Sequence, residues 1–205
     1  MQPAFAAWWF RVVGTEAHLR IIAGIYRSRP LASLPGMDIR PTSDRLRETL
    51  FNVLCAGNPE VLQGSTWLDL YAGTGAVGIE ALSRGASHVT FVESTAKAVA
   101  IIEKNLRSLR IDDRFQVIRG EVGEVLRKRA TSGGIADYIF LDPPYRLEAE
   151  YTRTLGMLGH SRVLRPGGIV IVEHSKRFDP GTEYAELRRF RKLEQGDAAL
   201  SFYRK

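Results

Sequence analysis

The stretch Leu68-Asp69-Leu70-Tyr71-Ala72-Gly73-Thr74-Gly75-Ala76-Val77-Gly78 decides the fold. A short apolar strand, Trp67 to Leu70, runs into a turn with GxGxxG spacing, and a helix follows that ends at Gly85. Glycines at such a turn let the backbone approach a ligand, and the helix N-terminus favours anionic or polar groups. The same spacing also serves a turn that needs only close helix packing. What comes next separates the two readings. His88 to Val92 reads as a second strand, and Glu93 stands at its end. An acidic side chain there can bind both hydroxyls of a ribose, so the whole unit points to an adenosine-containing cofactor.

Downstream, strands and helices alternate. A helix from about Thr95 to Leu109 precedes a third strand, Phe115 to Ile118. A helix from Val122 to Arg129 and a Gly133-Gly134 loop lead to a fourth strand, Asp137 to Leu141. A helix around Ala149 to Leu158 follows, and Pro166-Gly167-Gly168 turns into a fifth strand, Ile169 to Glu173. Two last strand-like runs, Glu183 to Phe190 and Ala198 to Tyr203, flank Gln195-Gly196-Asp197 and read as a hairpin. Such alternation predicts an α/β fold: a doubly wound, mostly parallel, seven-stranded Rossmann-like sheet with a C-terminal antiparallel hairpin.

Upstream, residues 19–26 look like a short strand, and Ser28 to Pro41 is a Gly/Pro loop. Thr42 and Ser43 offer an N-cap for a helix that carries Leu46, Leu50, Phe51, Val53 and Leu54 at helical spacing and ends near Gly57 and Pro59. Arg45, Arg47 and Glu48 fall on its other face. Residues 1–18 read differently. Their apolar run Pro3 to Phe10, with Trp8 and Trp9, precedes Arg11, whereas a signal peptide has basic residues before a longer apolar run. They are expected to be a terminal appendage, disordered or translated from a misplaced start. Residues 19–60 then form an N-terminal strand and helix, and residues 61–205 the main domain.

The composition excludes several classes. Of 205 residues, 44% are hydrophobic and 25% charged, as in soluble globular proteins. No apolar run approaches the ~20 residues of a membrane span. The single Cys55 rules out an internal disulfide, suits a reducing cytoplasm, and reads as a small buried hydrophobe near the end of a helical stripe. Four scattered histidines and one cysteine give no zinc spacing, so no metal is expected. A net charge of +6, mostly from arginine, permits a polyanionic partner without demanding one.

The second informative stretch is Asp142-Pro143-Pro144-Tyr145, directly after the apolar run Tyr138-Ile139-Phe140-Leu141. Two prolines stop the strand and stiffen the backbone at its carboxyl end. That fixes a carboxylate, a free carbonyl and an aromatic ring around one small volume. Such a set can grip a planar group bearing an exocyclic amine: two acceptors for its N–H bonds and a ring for its face. An ordinary strand-ending turn is the plain alternative. Strand four lies beside strand one across the topological switch point, where ligands bind. An amine clamp there serves methyl transfer to nitrogen and has no role in hydride transfer. The cofactor reading is therefore S-adenosylmethionine, with its amino-acid end at the glycine loop and Asp69 toward its ammonium group.

These pieces resemble the bacterial 16S ribosomal RNA guanine-N2 methyltransferase family, RsmD. The match runs from residue 20 to the C-terminus. It takes in Arg20-Ile21-Ile22-Ala23-Gly24, Arg40-Pro41-Thr42, Asp44-Arg45, Leu50-Phe51-Asn52, the Leu68–Gly85 block, Val92-Glu93, Asn105-Leu106, Asp142–Tyr145 and Gly196-Asp197. The glycine block and the tetrapeptide occur in many class I methyltransferases; the Arg-Pro-Thr region narrows the resemblance to this family. It implies that Asp69, Tyr71, Ala72, Gly73, Thr74, Gly75 and Glu93 hold the cofactor. It further implies that Asp142, Pro143, Pro144 and Tyr145 hold the target base. Where the family usually has an aspartate against the adenine amine, this chain has Glu121, one methylene longer.

Arg40, Arg45 and Arg47 are then candidates for RNA phosphate contacts, against the alternative of a solvated helix face. The expected partner is ribosomal RNA or an assembled 30S particle, met by a cytoplasmic monomer with no membrane contact. Other readings are an amino-methyltransferase for DNA adenine or protein glutamine, often with asparagine in place of Asp142, and a dinucleotide-dependent oxidoreductase. The oxidoreductase lacks a catalytic His or Tyr-Lys pair in this sequence. A third reading, an RNA-binding protein that has kept only a methyltransferase shell, sits poorly with an intact Asp142 and glycine loop.

Overall fold

The computed structural model describes residues 19–33 and 44–205. Residues 1–18, Arg40 and the Thr42–Ser43 cap lie outside them. Helix α1 (Asp44–Leu54) precedes β1 (Thr66–Leu70), α2 (Ala76–Ser83), β2 (His88–Glu93), α3 (Ala96–Ser108), β3 (Phe115–Arg119) and α4 (Val122–Ser132). Then come β4 (Ala136–Leu141), α5 (Glu148–Gly159), β5 (Leu164–Ser175), β6 (Glu183–Tyr184), β7 (Leu187–Gln195) and β8 (Ala198–Arg204).

The strands make one sheet in the order β3-β2-β1-β4-β5-β8-β7-β6. The first five are parallel, and β8, β7 and β6 run antiparallel to their neighbours. The order reverses between β1 and β4, so the loops that follow these two strands open at the same crevice. The doubly wound fold and the hairpin at Gly196 (φ +63°) stand as expected from the sequence.

Each face of the sheet has its own core. On one, α1, α2 and α3 cover Trp67, Val89, Phe91, Tyr138, Phe140 and Ile171. On the other, α4 and α5 cover Leu68, Leu70, Ile139, Leu141 and Val170. Continuous apolar runs in β4 (Tyr138–Leu141) and β5 (Ile169–Val172) follow from burial on both faces. Phe51 of α1 lies 5.5 Å from Trp67, which stacks on Tyr138 at 4.8 Å, and this packing fixes α1 against the start of the sheet.

Three expectations fail. Residues 19–26 form no strand: they are turns and bends with a single bridge, Arg20 to Pro30. Their backbone N–H groups go to α2 instead of to a sheet. Ile22 and Ala23 donate to the two carboxylate oxygens of buried Glu80 at 2.8 and 3.0 Å, and Tyr26 donates to Ser83 Oγ. Gly24, at φ +83°, lies so close to α2 that a Cβ there would meet the Ser83 carbonyl at 1.9 Å. Second, the run Glu183–Phe190 is not one strand. Ala185, at φ +50°, turns the chain between β6 and β7, adding an eighth strand of two residues. Third, β5 starts at Leu164, because Pro166-Gly167-Gly168 makes a bulge inside the strand and not a turn before it.

Arg47 is the fourth correction. It is fully buried, donates to Asp44 Oδ1 at 2.6 Å and to the Arg20 carbonyl at 2.7 Å, and lies 3.8 Å from Glu80. It faces the protein, not an RNA. The reason is helical spacing: Arg47 is three and four residues before Leu50 and Phe51, so it shares their inward face. Arg45 is exposed, as expected.

Candidate active site

The glycine loop is built by its backbone. Tyr71, Gly73 and Gly75 have φ of +59°, +54° and +76°. An aromatic residue in the left-handed region is strained, a conformation that the surrounding contacts must hold in place. Gly75 accommodates the neighbours below it: a Cβ would meet Ile102 and Phe91 at 3.3 Å. Ala72 N donates to Val92 O at 3.0 Å, laying the loop beside the end of β2. Buried Asn105 of α3 ties the loop to the N-terminal arm, giving its Nδ2 to the carbonyls of Thr74 (3.0 Å) and Ala32 (3.2 Å) and accepting from Ala32 N at 2.7 Å. Tyr71 carries the loop to α5, its hydroxyl donating to Glu150 at 2.8 Å with Thr154 Oγ1 at 3.2 Å.

Four carboxylates share this end of the sheet, and strand register explains why. Phe91, Asp69, Phe140 and Ile171 form one row across β2, β1, β4 and β5. With a period of two, the same face next presents Glu93, Asp142 and Glu173. Asp69, 2% exposed, accepts from Gly78 N at 2.9 Å, so it pins the first turn of α2. Burial pushes its carboxyl up to about 8, against the pull of the Gly78 bond and with Glu93 adding to the rise. Glu93 accepts from Gly73 N at 3.0 Å and from Thr95 N and Oγ1 at 2.9 and 3.1 Å, which aims it at the loop. Glu121 follows β3, exposed, as the N-cap residue of α4; Gly120 N bonds Glu93 O at 3.0 Å.

Asp142 leaves β4 with its N–H toward Leu70 O at 3.4 Å, so the tetrapeptide starts beside the glycine loop. The residue is half-buried, and its carboxyl is held well above the usual carboxylate range by burial, then by Glu173, then by Asp69. Pro143 is buried and Pro144 exposed. Buried Tyr151 of α5 donates its hydroxyl to Pro143 O at 3.1 Å. Half-buried Tyr145 donates to Glu173 Oε1 at 3.4 Å.

The structure therefore brings together Asp69, Tyr71–Gly75, Glu93 and Asp142–Tyr145, with Glu121 at the neighbouring strand end. Sequence reading missed Glu173, although an acid closing the run Ile169–Val172 copies the placement of Asp142 after Leu141. It also missed Tyr151, which the i, i+3, i+4 stripe with Thr154 and Leu155 turns inward. Among the described residues, no His, Cys, Asp or Glu group is arranged to hold a metal, and no helix is long and apolar enough to cross a membrane.

A parallel sheet reversed at β1/β4, an antiparallel hairpin, a glycine loop and Asp-Pro-Pro-Tyr after β4 define a class I methyltransferase. The chain belongs to the family described as Conserved hypothetical protein 95, whose model matches residues 19–204. Relatives named ribosomal RNA small subunit methyltransferase D include those of Haemophilus influenzae and Escherichia coli K12. The first is 35% identical over 78% of this chain and 81% of its own, the second 32% identical over 93% and 91%. A hypothetical protein of Thermus thermophilus superposes with a TM-score of 0.76 at 27% identity, over 91% of this chain and 99% of that one. The Thermus thermophilus 16S rRNA N2 G1207 methyltransferase RsmC, in complex with AdoMet and guanosine, shares the fold. Its TM-score is 0.67 at 22% identity, over 92% of this chain and 49% of that one.

Proposed function

We propose that the protein is an S-adenosylmethionine-dependent methyltransferase that modifies the exocyclic N2 amine of a guanine in 16S ribosomal RNA, during small-subunit assembly. The observation that carries this reading is the position of Asp142-Pro143-Pro144-Tyr145 beside the glycine loop, within one row of carboxylates.

The donor set fits the cofactor. Its sulfonium and ammonium groups are cationic, and Glu93, with Asp69 once that carboxyl ionises, would present carboxylates on the face it would occupy. Glu93, aimed by Gly73 and Thr95, would take the ribose diol. Asp69 would face the ammonium group, and Glu121 would reach the adenine amine. Gly73 leaves room for close backbone approach. S-adenosylmethionine supplies a methyl group made electrophilic by its sulfonium.

The chain's own residues would do the rest. The lone pair of guanine N2 is delocalised into the ring, so the amine is a poor nucleophile. Asp142 and the Pro143 carbonyl would accept its two hydrogens and favour the pyramidal geometry of attack. Tyr145 would stack on the base plane. Alignment at ~3–3.5 Å would supply much of the rate. The base must first be unstacked or already exposed in its RNA. Arg40 and Arg45 remain candidates for phosphate contacts. A carboxylate at Asp142, where many adenine methyltransferases carry an amide, favours guanine. Relatives named for the small ribosomal subunit support the RNA.

Transfer of labelled methyl from S-adenosylmethionine to undermethylated 30S particles, naked 16S RNA and DNA tests the reading. Label in 30S particles or RNA and none in DNA is expected. Label in DNA alone would overturn the substrate assignment, and calorimetric binding of NAD in place of S-adenosylmethionine would overturn the cofactor.

A further inference from the structure

Glu173 has no part in the clamp that the tetrapeptide supplies, yet its placement copies that of Asp142. Leu141 of β4 pairs with Val172 of β5. The next residues, Asp142 just past the end of β4 and Glu173 within β5, continue that register, and neighbouring parallel strands lie ~4.8 Å apart. Period two turns both side chains to the face of Phe140 and Ile171. Glu173 is 4% exposed, and its Oε1 receives the hydroxyl of Tyr145, the ring assigned to the base.

We propose that Glu173 is a positioning residue that works through Asp142: the two carboxylates act as one proton-accepting pair, and Glu173 orients Tyr145. This rests on the amino-methyl-transfer reading above and deepens it. In that reaction the N2–CH3 bond forms while the S–CH3 bond breaks, and its electron pair stays on sulfur. N2 then carries one proton too many, and that proton passes to the Asp142 carboxylate. A lone exposed carboxylate is a weak base at neutral pH. Two ionised carboxylates side by side bind the first proton more tightly, because it relieves their repulsion. A base is most effective when its affinity for protons lies near the working pH. The elevated proton affinity of Asp142, caused by burial, Glu173 and Asp69, agrees with this arrangement. The titratable groups that act on Asp142 are Glu173 from β5 and Asp69 from β1; Tyr151 of α5 feels the charges of Asp142 and Tyr145, and Glu93 of β2 acts on Asp69.

The test compares wild type, Glu173→Gln and Glu173→Asp, with Glu173→Leu as a second neutral variant should the glutamine fail to fold. The first readout needs no cofactor. Protein carrying 13C-labelled aspartate carboxyls is titrated by NMR, with Asp142 assigned by its loss in Asp142→Asn. Removing the charge of Glu173 should lower the Asp142 titration by roughly one pH unit or more. The second readout is the pH–rate profile with RNA. In Glu173→Gln the acid limb of kcat should move to lower pH, and the plateau should fall about tenfold or more. KM for S-adenosylmethionine should stay within about twofold, and Glu173→Asp should restore the limb. A folded neutral variant in which neither the Asp142 titration nor the acid limb moves overturns the proposal, leaving Glu173 a packing residue. That failure is distinct from failure of the proposed function, in which wild type itself would transfer no methyl to RNA whatever the titration shows.

Discussion

The hydroxyl of Tyr151 donates to the carbonyl of Pro143 at 3.1 Å, from a side chain that is otherwise buried against Phe178. Burial, and next the charge of Asp142, push this phenol well above its ordinary range, so it is a donor at every working pH. It occupies one lone pair of the carbonyl and would leave the other for the amine of the proposed clamp. Tyr151→Phe keeps the ring and loses only the bond. Turnover on RNA should fall several-fold with the calorimetric affinity for S-adenosylmethionine unchanged, and the melting temperature should drop by a few degrees, the scale of one buried hydrogen bond. Unaltered kcat would leave Tyr151 with a packing role alone.

Asp142→Ala should abolish most methyl transfer while cofactor affinity stays near normal, if the side chain acts on the acceptor amine as proposed. Near-normal turnover in the variant would remove the amine clamp. Tyr145→Phe keeps the stacking ring but frees it from Glu173. A moderate loss of turnover is expected, smaller than that of Tyr145→Ala.

Cofactor affinity should depend on pH through Asp69. This carboxyl titrates near 8 in the folded chain, raised from its ordinary 3.8. A raised carboxylate contributes stability while it is protonated, and that contribution is lost as pH rises from about 4 through about 8. A cationic ligand prefers the ionised form. Binding of S-adenosylmethionine should therefore tighten as pH rises toward 8 and release a proton below it. Calorimetry in buffers of different ionisation enthalpy measures that release, and Asp69→Asn should abolish it. Glu93→Ala should weaken binding by about 1.5–3 kcal/mol, the scale of hydrogen bonds to a charged group.

Arg45 and Arg47 are two residues apart and should behave as opposites. Arg47→Ala removes a buried side chain bonded to Asp44 and the Arg20 carbonyl, with Arg84 still paired to Glu80 at 2.8 Å, and should cost about 1–3 kcal/mol of stability by denaturant unfolding. Arg45→Ala should leave stability alone, weaken RNA binding, and reduce the salt slope by about one. Identical RNA affinity and salt slope in Arg45→Ala would make it a solvated face.

The contrast between these two arginines shows how far the sequence could be read. Strands β1 to β5, the glycine loop, Glu93 and Asp142–Tyr145 were legible because each is local: an apolar run, then a turn residue, then an acid. Arg47 was not, because its inward position is answered by Glu80 on another helix. The arm at residues 19–33 failed for a similar reason. Its apolar residues suggested a strand, but Glu80, Ser83 and Asn105 take up its backbone groups, and none is near in sequence. The split of Glu183–Phe190 turns on Ala185 adopting positive φ, which alanine does not advertise. Glu173 and Tyr151 acquire meaning only once β5 and α5 are known to flank the tetrapeptide.

Asp142-Pro143-Pro144-Tyr145 is proposed to present the N2 amine of a guanine for methylation. The most direct measurement is nucleoside analysis by mass spectrometry of 16S RNA recovered from undermethylated 30S particles after incubation with the protein and S-adenosylmethionine. N2-methylguanosine is expected with wild type, and its loss with Asp142→Ala. Methylation on adenine N6, on a ribose, or on protein side chains with the RNA unmodified would contradict it.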